Sequence, residues 1–232
     1  MIPHNYVWAA GSTQLWDTSD NEENYLRNFS KLQQLNIDSW PITYCFNSHG
    51  FRGPEFDSID IITLGCSFTL GCGVAEDQSW PSQLSGITGL NVANLGHSGS
   101  SNDTAFRFAK HYIPLLKPRA VCWLQTDRHR LEIIDDAQNI VCNLMANDSS
   151  NSYYNKDNFV KQWFLSDSNQ QLNLEKNTLA VQQLCATHDI KFYVMGRNEI
   201  KQLDLGRDLM HPGPASYKHI AEQFARQFDI NR

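Results

Sequence analysis

The chain has no basic run, no long apolar run and no Cys-x-x-Cys pair, and each absence closes off a class of function. A formal charge of −6 without clustered lysine and arginine argues against nucleic acid or an anionic membrane as the main partner. No apolar stretch approaches the roughly 20 residues of a membrane span. The start, Met1 to Trp8, lacks a charged residue followed by an apolar core, so no signal peptide is expected and a reducing, cytoplasmic setting fits best. The six cysteines, Cys45, Cys66, Cys72, Cys122, Cys142 and Cys185, are scattered, and several lie in apolar segments where cysteine acts as a small buried hydrophobe. A disulfide framework and a zinc site are therefore not expected. What remains is 232 residues, 41% hydrophobic and 19% charged, enough for one domain with a sizeable core.

Apolar runs at 59–64, 91–94, 120–124 and 191–195 read as strands. Helical spacing is predicted over 22–35, 80–85, from a cap at Asn102 or Asp103 to about 116, over 174–187 and over 214–228. Strands alternating with helices imply an α/β fold, a three-layer α/β/α sandwich on a mainly parallel sheet. Residues 1–56 read as an N-terminal extension packing on the domain. Residues 57–232 form the domain, with an irregular, Asn/Ser/Asp-rich insertion at about 131–172. Ligands of such sheets bind beyond the carboxyl ends of the strands, where the loops at 65–67, 96–101 and 125–130 should emerge together.

Two short segments carry chemistry. Gly65-Cys66-Ser67-Phe68 follows the first sheet strand, and Asp208-Leu209-Met210-His211 precedes the last helix. Ser67 offers a nucleophile, His211 a base, and Asp208 a carboxylate to orient that base, the set needed for acyl transfer. Each segment alone favours the plainer reading, a helix cap for the first and a shaped loop for the second. A third segment, Asn94 to Asp103, carries two glycines into a helix, and the Gly99 N–H is a candidate oxyanion donor. His97 in the same loop reads as a rim contact or as loop structure.

These blocks, in this order, resemble the SGNH, or GDSL-type, hydrolases over roughly residues 47–228. The first block of that family is Gly-Asp-Ser-x, the second an Asn-x-x-x-x-Gly loop matched by Asn94 to Gly99, and the last Asp-x-x-His. The resemblance implies a flavodoxin-like sandwich, a Ser67–His211–Asp208 triad with an acyl-enzyme intermediate, and no metal or organic cofactor. Two positions depart from it. Cys66 stands where the family has aspartate, which also makes it an alternative nucleophile. The third block, Gly-x-Asn-Asp in the family, is here Leu124-Gln125-Thr126-Asp127. Thr126 or Gln125 would have to replace the asparagine as an oxyanion donor, and loss of one such donor costs about 100- to 1000-fold in rate. Arg128, with His129 and Arg130, could meet an anionic or sugar substrate, or form ordinary surface salt bridges.

The expected function is thus a serine esterase acting on a small-molecule or glycan ester, such as a small acyl (acetyl) ester on carbohydrate. The rival reading is a weak or inactive SGNH-like module that binds a glycan or a protein. Acyl group, alcohol portion and oligomeric state are not legible.

Overall fold

The computed structural model describes residues 9–135, 140–144 and 158–228. The N-terminal segment contributes β1 (Thr13–Gln14), α1 (Glu22–Gln34) and β2 (Tyr44–Cys45), with β1 and β2 paired antiparallel. The sheet strands are β3 (Ile61–Gly65), β4 (Val92–Gly96) and β5 (Ala120–Leu124), separated by α2 (Ser67–Leu70), α3 (Trp80–Thr88) and α4 (Asn102–Leu116). After β5 come a hairpin, β6 (Leu131–Asp135) and β7 (Ile140–Leu144), and two helices, α5 (Asn158–Leu165) and α6 (Asp167–Thr187). The fourth sheet strand, β8 (Lys191–Met195), and the helix α7 (Pro214–Ala225) close the order.

The four-stranded sheet is parallel throughout, in the order β4-β3-β5-β8. Strands β3 and β5 are buried at every position, which explains why they read as unbroken apolar runs. Their side chains alternate between two cores. Ile62, Leu64, Val121 and Trp123 pack with Phe108, Tyr112 and Val181 of α4 and α6. Ile61, Ala120, Cys122 and Leu124 pack with Trp80, Leu84, Ile220 and Phe224 of α3 and α7. Each large apolar side chain so buried contributes about 1.5–3 kcal/mol.

The chain leaves β3 toward β4 on one side, then returns past β3 to β5 and β8. The crevice at that reversal, between the ends of β3 and β5, is where doubly wound sheets bind ligands. Ser67 begins α2 two residues after β3 ends. Gly65 and Gly96 lie in register there. A Cβ on Gly65 would meet Thr69 Oγ1 at 2.1 Å, and one on Gly96 would meet Leu70 N at 2.2 Å, so α2 sits directly against both strand ends.

The 131–172 region is more regular than its composition suggests. Part of it (136–139 and 145–157) lies outside the described residues. The rest holds the β6–β7 hairpin, α5 and the first turn of α6, which begins seven residues earlier than its apolar spacing predicts. Ser166 caps α6 by accepting from Asn169 N. The buried face of these first turns is polar: Asn173 and Asn177 both donate to Asp103 Oδ1, at 2.9 and 2.8 Å. A hydrophobic period cannot reveal such a face. The hairpin is pinned to α4 by a buried Arg107–Glu132 pair at 2.7 Å.

Candidate active site

The segment bearing Asp208 and His211 is a tight loop before α7. Leu209 adopts φ 57°, unusual for a residue with a side chain, and Gly206 N donates to His211 O at 2.9 Å to close the turn. That reversal folds the His211 ring back onto Asp208. His211 Nδ1 lies 2.5 Å from Asp208 Oδ2, and His211 Nε2 lies 2.7 Å from Ser67 Oγ. With Nδ1–H donated to the carboxylate, Nε2 is left to accept the serine proton. Ser67 and His211 are only 6% and 8% exposed.

Asp208 is buried and saturated with donors. Its Oδ1 accepts from Met210 N at 3.1 Å and His211 N at 3.0 Å, and its Oδ2 accepts from His211 and from Ser19 Oγ, the latter at 2.5 Å. Burial alone would raise its pKa, but these bonds and the adjacent imidazole hold the carboxyl below the ordinary carboxylate range. His211 moves the opposite way. Burial pulls it down, yet the bond to Asp208, assisted by Cys72, holds the imidazolium above its usual value. The Phe68 ring meets the His211 ring edge-on at 5.1 Å.

Gly99, at φ 72°, lies in the loop that leaves β4 beside Ser67. His97 N and Ser100 Oγ both donate to Gly65 O at 3.2 Å, which stitches this loop to the start of α2. Among the described residues no acceptor meets the N–H of Ser67 or of Gly99. His97 is neutral: burial lowers it to about 4, and Nδ1 faces Ser98 O at 3.0 Å. It lines a cavity of about 250 Å³ with Trp16, Asp17, Phe46, Leu70 and Ser98.

The two third-block candidates separate. Thr126 is buried, its N–H held by Asn102 Oδ1 at 3.1 Å, and its hydroxyl has no nitrogen or oxygen partner. It faces the Cys66 thiol instead, together with the positive charges of Arg130 and Arg197. Burial would raise this thiol, but Arg130 first, then Thr126, the Phe68 N–H and Arg197, bring it below the usual value. Gln125 turns toward α6, its amide donating to Thr178 Oγ1 at 2.8 Å. Arg128 pairs with Asp167 at 3.0 Å at the surface. Arg197 stacks over Phe68 at 4.5 Å and pairs with Asp127.

Four residues around the site carry no local motif. Ser19 bonds Asp208, and Cys72 lies 3.9 Å from Asp208 Oδ2. Arg52, 1% exposed, donates to the carbonyls of Leu70, Gly71, Thr43 and Val74, tying the loop after α2 to the N-terminal segment. Asp20 grips Arg207, the neighbour of Asp208, through two bonds of 2.9 and 2.8 Å. One ligand atom each of Cys72, Asp208 and His211 lie within 4.8 Å of one another, the sole such group among the described residues. Both ring nitrogens of His211 are already engaged there, by Asp208 and Ser67.

No family model and no curated protein matches the chain. Solved structures do. A psychrotrophic esterase from Pseudoalteromonas sp. is 12% identical, with 72% of this chain and 94% of that one covered, at a TM-score of 0.44. A family 3 carbohydrate esterase from Clostridium thermocellum is 18% identical, with 72% and 94% covered, at 0.40. A lipase/acylhydrolase from Enterococcus faecalis is 12% identical, with 73% and 94% covered, at 0.36. In the order of its blocks, in its parallel sheet and in its line of serine, histidine and aspartate, the chain resembles the SGNH, or GDSL-type, hydrolases.

Proposed function

We propose that the protein is a serine hydrolase that cleaves a carboxylic ester. The observation that carries this reading is the unbroken line from Ser67 Oγ to His211 Nε2 and from His211 Nδ1 to Asp208 Oδ2, at 2.7 and 2.5 Å. Ser67 attacks the ester carbonyl as His211 takes its proton. His211 returns that proton to the leaving alkoxide, and the acyl group stays on Ser67. His211 then activates water, which releases the acid and restores the serine. Asp208 fixes the imidazole and supports its charge.

The N–H groups of Ser67 and Gly99 are the assigned donors to the tetrahedral oxyanion, with Thr126 as the third-block contributor. Cys66, one residue before Ser67, has no imidazole contact of its own in the described structure, so Ser67 is the nucleophile.

A pure binding module has no need of Ser67 and His211 within hydrogen-bond reach, which weighs against the rival reading. The test is hydrolysis of p-nitrophenyl acetate and of acetylated oligosaccharides by wild type and Ser67→Ala. Turnover by wild type that falls by at least about 1000-fold in the variant is expected. Equal rates in the two would overturn the assignment.

A further inference from the structure

We propose that Ser19, on the N-terminal segment, is a positioning residue of the active site, acting through Asp208. This rests on the hydrolase reading above. The hydroxyl of Ser19 donates to Asp208 Oδ2 at 2.5 Å, the same oxygen that receives His211 Nδ1–H, and its oxygen lies 3.3 Å from Nδ1. With Met210 N and His211 N on Oδ1 and His211 Nδ1 on Oδ2, Ser19 supplies the fourth nitrogen or oxygen donor to a carboxylate that has about four acceptor positions, the Cys72 thiol standing farther off at 3.9 Å. The carboxylate then cannot rotate without breaking a bond inside a buried site.

Ser19 is itself held from several directions. Residues 17–20 form a turn closed by two backbone bonds, Asp17 N to Asp20 O at 3.0 Å and Asp20 N to Asp17 O at 2.9 Å, with Thr18 at φ 43°. Asn24 Nδ2 donates to Ser19 O at 2.7 Å. At one end of the turn, Asp17 Oδ2 accepts from Ser98 Oγ at 2.5 Å, in the loop that carries Gly99. At the other, Asp20 clamps Arg207, and Tyr44 Oη donates to Asp20 at 2.6 Å. One short turn thus bridges the second and the last blocks and places a hydroxyl on the carboxylate between them.

A serine that merely packs would leave His211 unchanged when removed. A serine that shares Oδ2 would not. Without its proton, the carboxylate charge is less dispersed and holds the imidazolium more tightly, so the acid limb of activity moves to higher pH. The other ionisable groups acting on this pair are Cys72, Asp17 and Tyr217, with Arg52 acting on Asp17 and Tyr217 and the Arg207 guanidinium held by Asp20, and all of them remain in the variant.

The experiment compares wild type, Ser19→Ala and Ser19→Thr by kcat and KM across pH, and by the low-field NMR resonance of the His211 Nδ1 proton. Thermal melts confirm folding. Expected for Ser19→Ala are a kcat lower by roughly 10- to 100-fold at similar KM, an acid limb shifted upward and a displaced Nδ1 proton, with Ser19→Thr restoring each in part. A Ser19→Ala enzyme with wild-type kcat, limb and resonance overturns the proposal and leaves the hydrolase reading standing. If Ser19→Ala does not fold, Ser19→Cys takes its place: the thiol is a weaker donor, so a lower kcat, a raised acid limb and a displaced Nδ1 proton support the proposal, and wild-type kcat, limb and resonance overturn it. A wild type that turns over no ester overturns the hydrolase reading instead, and the Nδ1 resonance alone then decides whether Ser19 acts on the pair.

Discussion

In the proposed mechanism His211 acts as a base only when neutral, and its pKa is held above the ordinary value of 6.5, mainly by the bond to Asp208 against the pull of burial. Activity should therefore rise with pH through a midpoint above about 6.5. In Asp208→Asn the midpoint should fall, because the largest influence opposing burial is lost and only Cys72 remains against it, and kcat should drop about 10⁴-fold as the imidazole loses its fixed tautomer. A pH–rate profile that is flat between pH 6 and 9 would contradict both statements. The raised His211 pKa stabilises the fold in full below the unfolded histidine value and is lost as pH rises through the folded value, while the lowered Asp208 pKa gives stability that is lost as pH falls through its own folded value. Ser67, Asp208 and His211 could be singled out in the sequence because each sits in a local signature, a serine just after a strand and a carboxylate three residues before a ring, although no spacing rule joins Ser67 to His211 across 144 positions. Ser19 and Cys72 were not legible, since they reach Asp208 from 189 and 136 positions away. Gln125 and Thr126 were not separable by motif. The pleat separates them, because Gln125 continues the Trp123 face toward α6 and Thr126 the opposite face toward Cys66.

Strands β5 and β8 match their apolar runs residue for residue, and β3 and β4 end one or two positions later than predicted. Those extra positions include Gly65 and Gly96, whose value lies in the space they leave for α2 and not in hydrophobicity. Helix α6 was half legible: Val181 and Cys185 mark its apolar end, while its polar beginning is held by Asp103 across the domain. The N-terminal elements show a different kind of hidden information. The Asp20–Arg207 pair is 1% and 7% exposed at its side chains, and no spacing rule joins residues 187 positions apart. Breaking one side of such a pair leaves a buried charge uncompensated. Asp20→Ala should destabilise the protein by about 3–5 kcal/mol in chemical denaturation. It should also lower kcat more than a distant core substitution of equal cost, because Arg207 adjoins Asp208. A loss below about 1 kcal/mol would show that the N-terminal segment does not anchor the site.

At the scale of the whole molecule, the chemistry follows from topology. The chain reverses direction between β3 and β5, and the first, second and third blocks leave adjacent strand ends at that reversal. The N-terminal segment then closes over the same edge through Ser19, Asp20 and Arg52. Among the described residues no helix is long and apolar enough to cross a membrane. The alternation of strands and helices made the sheet legible from sequence, but the placement of an N-terminal turn against a C-terminal loop is a tertiary fact with no local signature. The most direct test is labelling with a fluorophosphonate, read by intact mass on wild type and Ser67→Ala. The activated serine described here predicts a single adduct on wild type and none on the variant. No adduct on wild type, or an adduct that persists in Ser67→Ala, would contradict it.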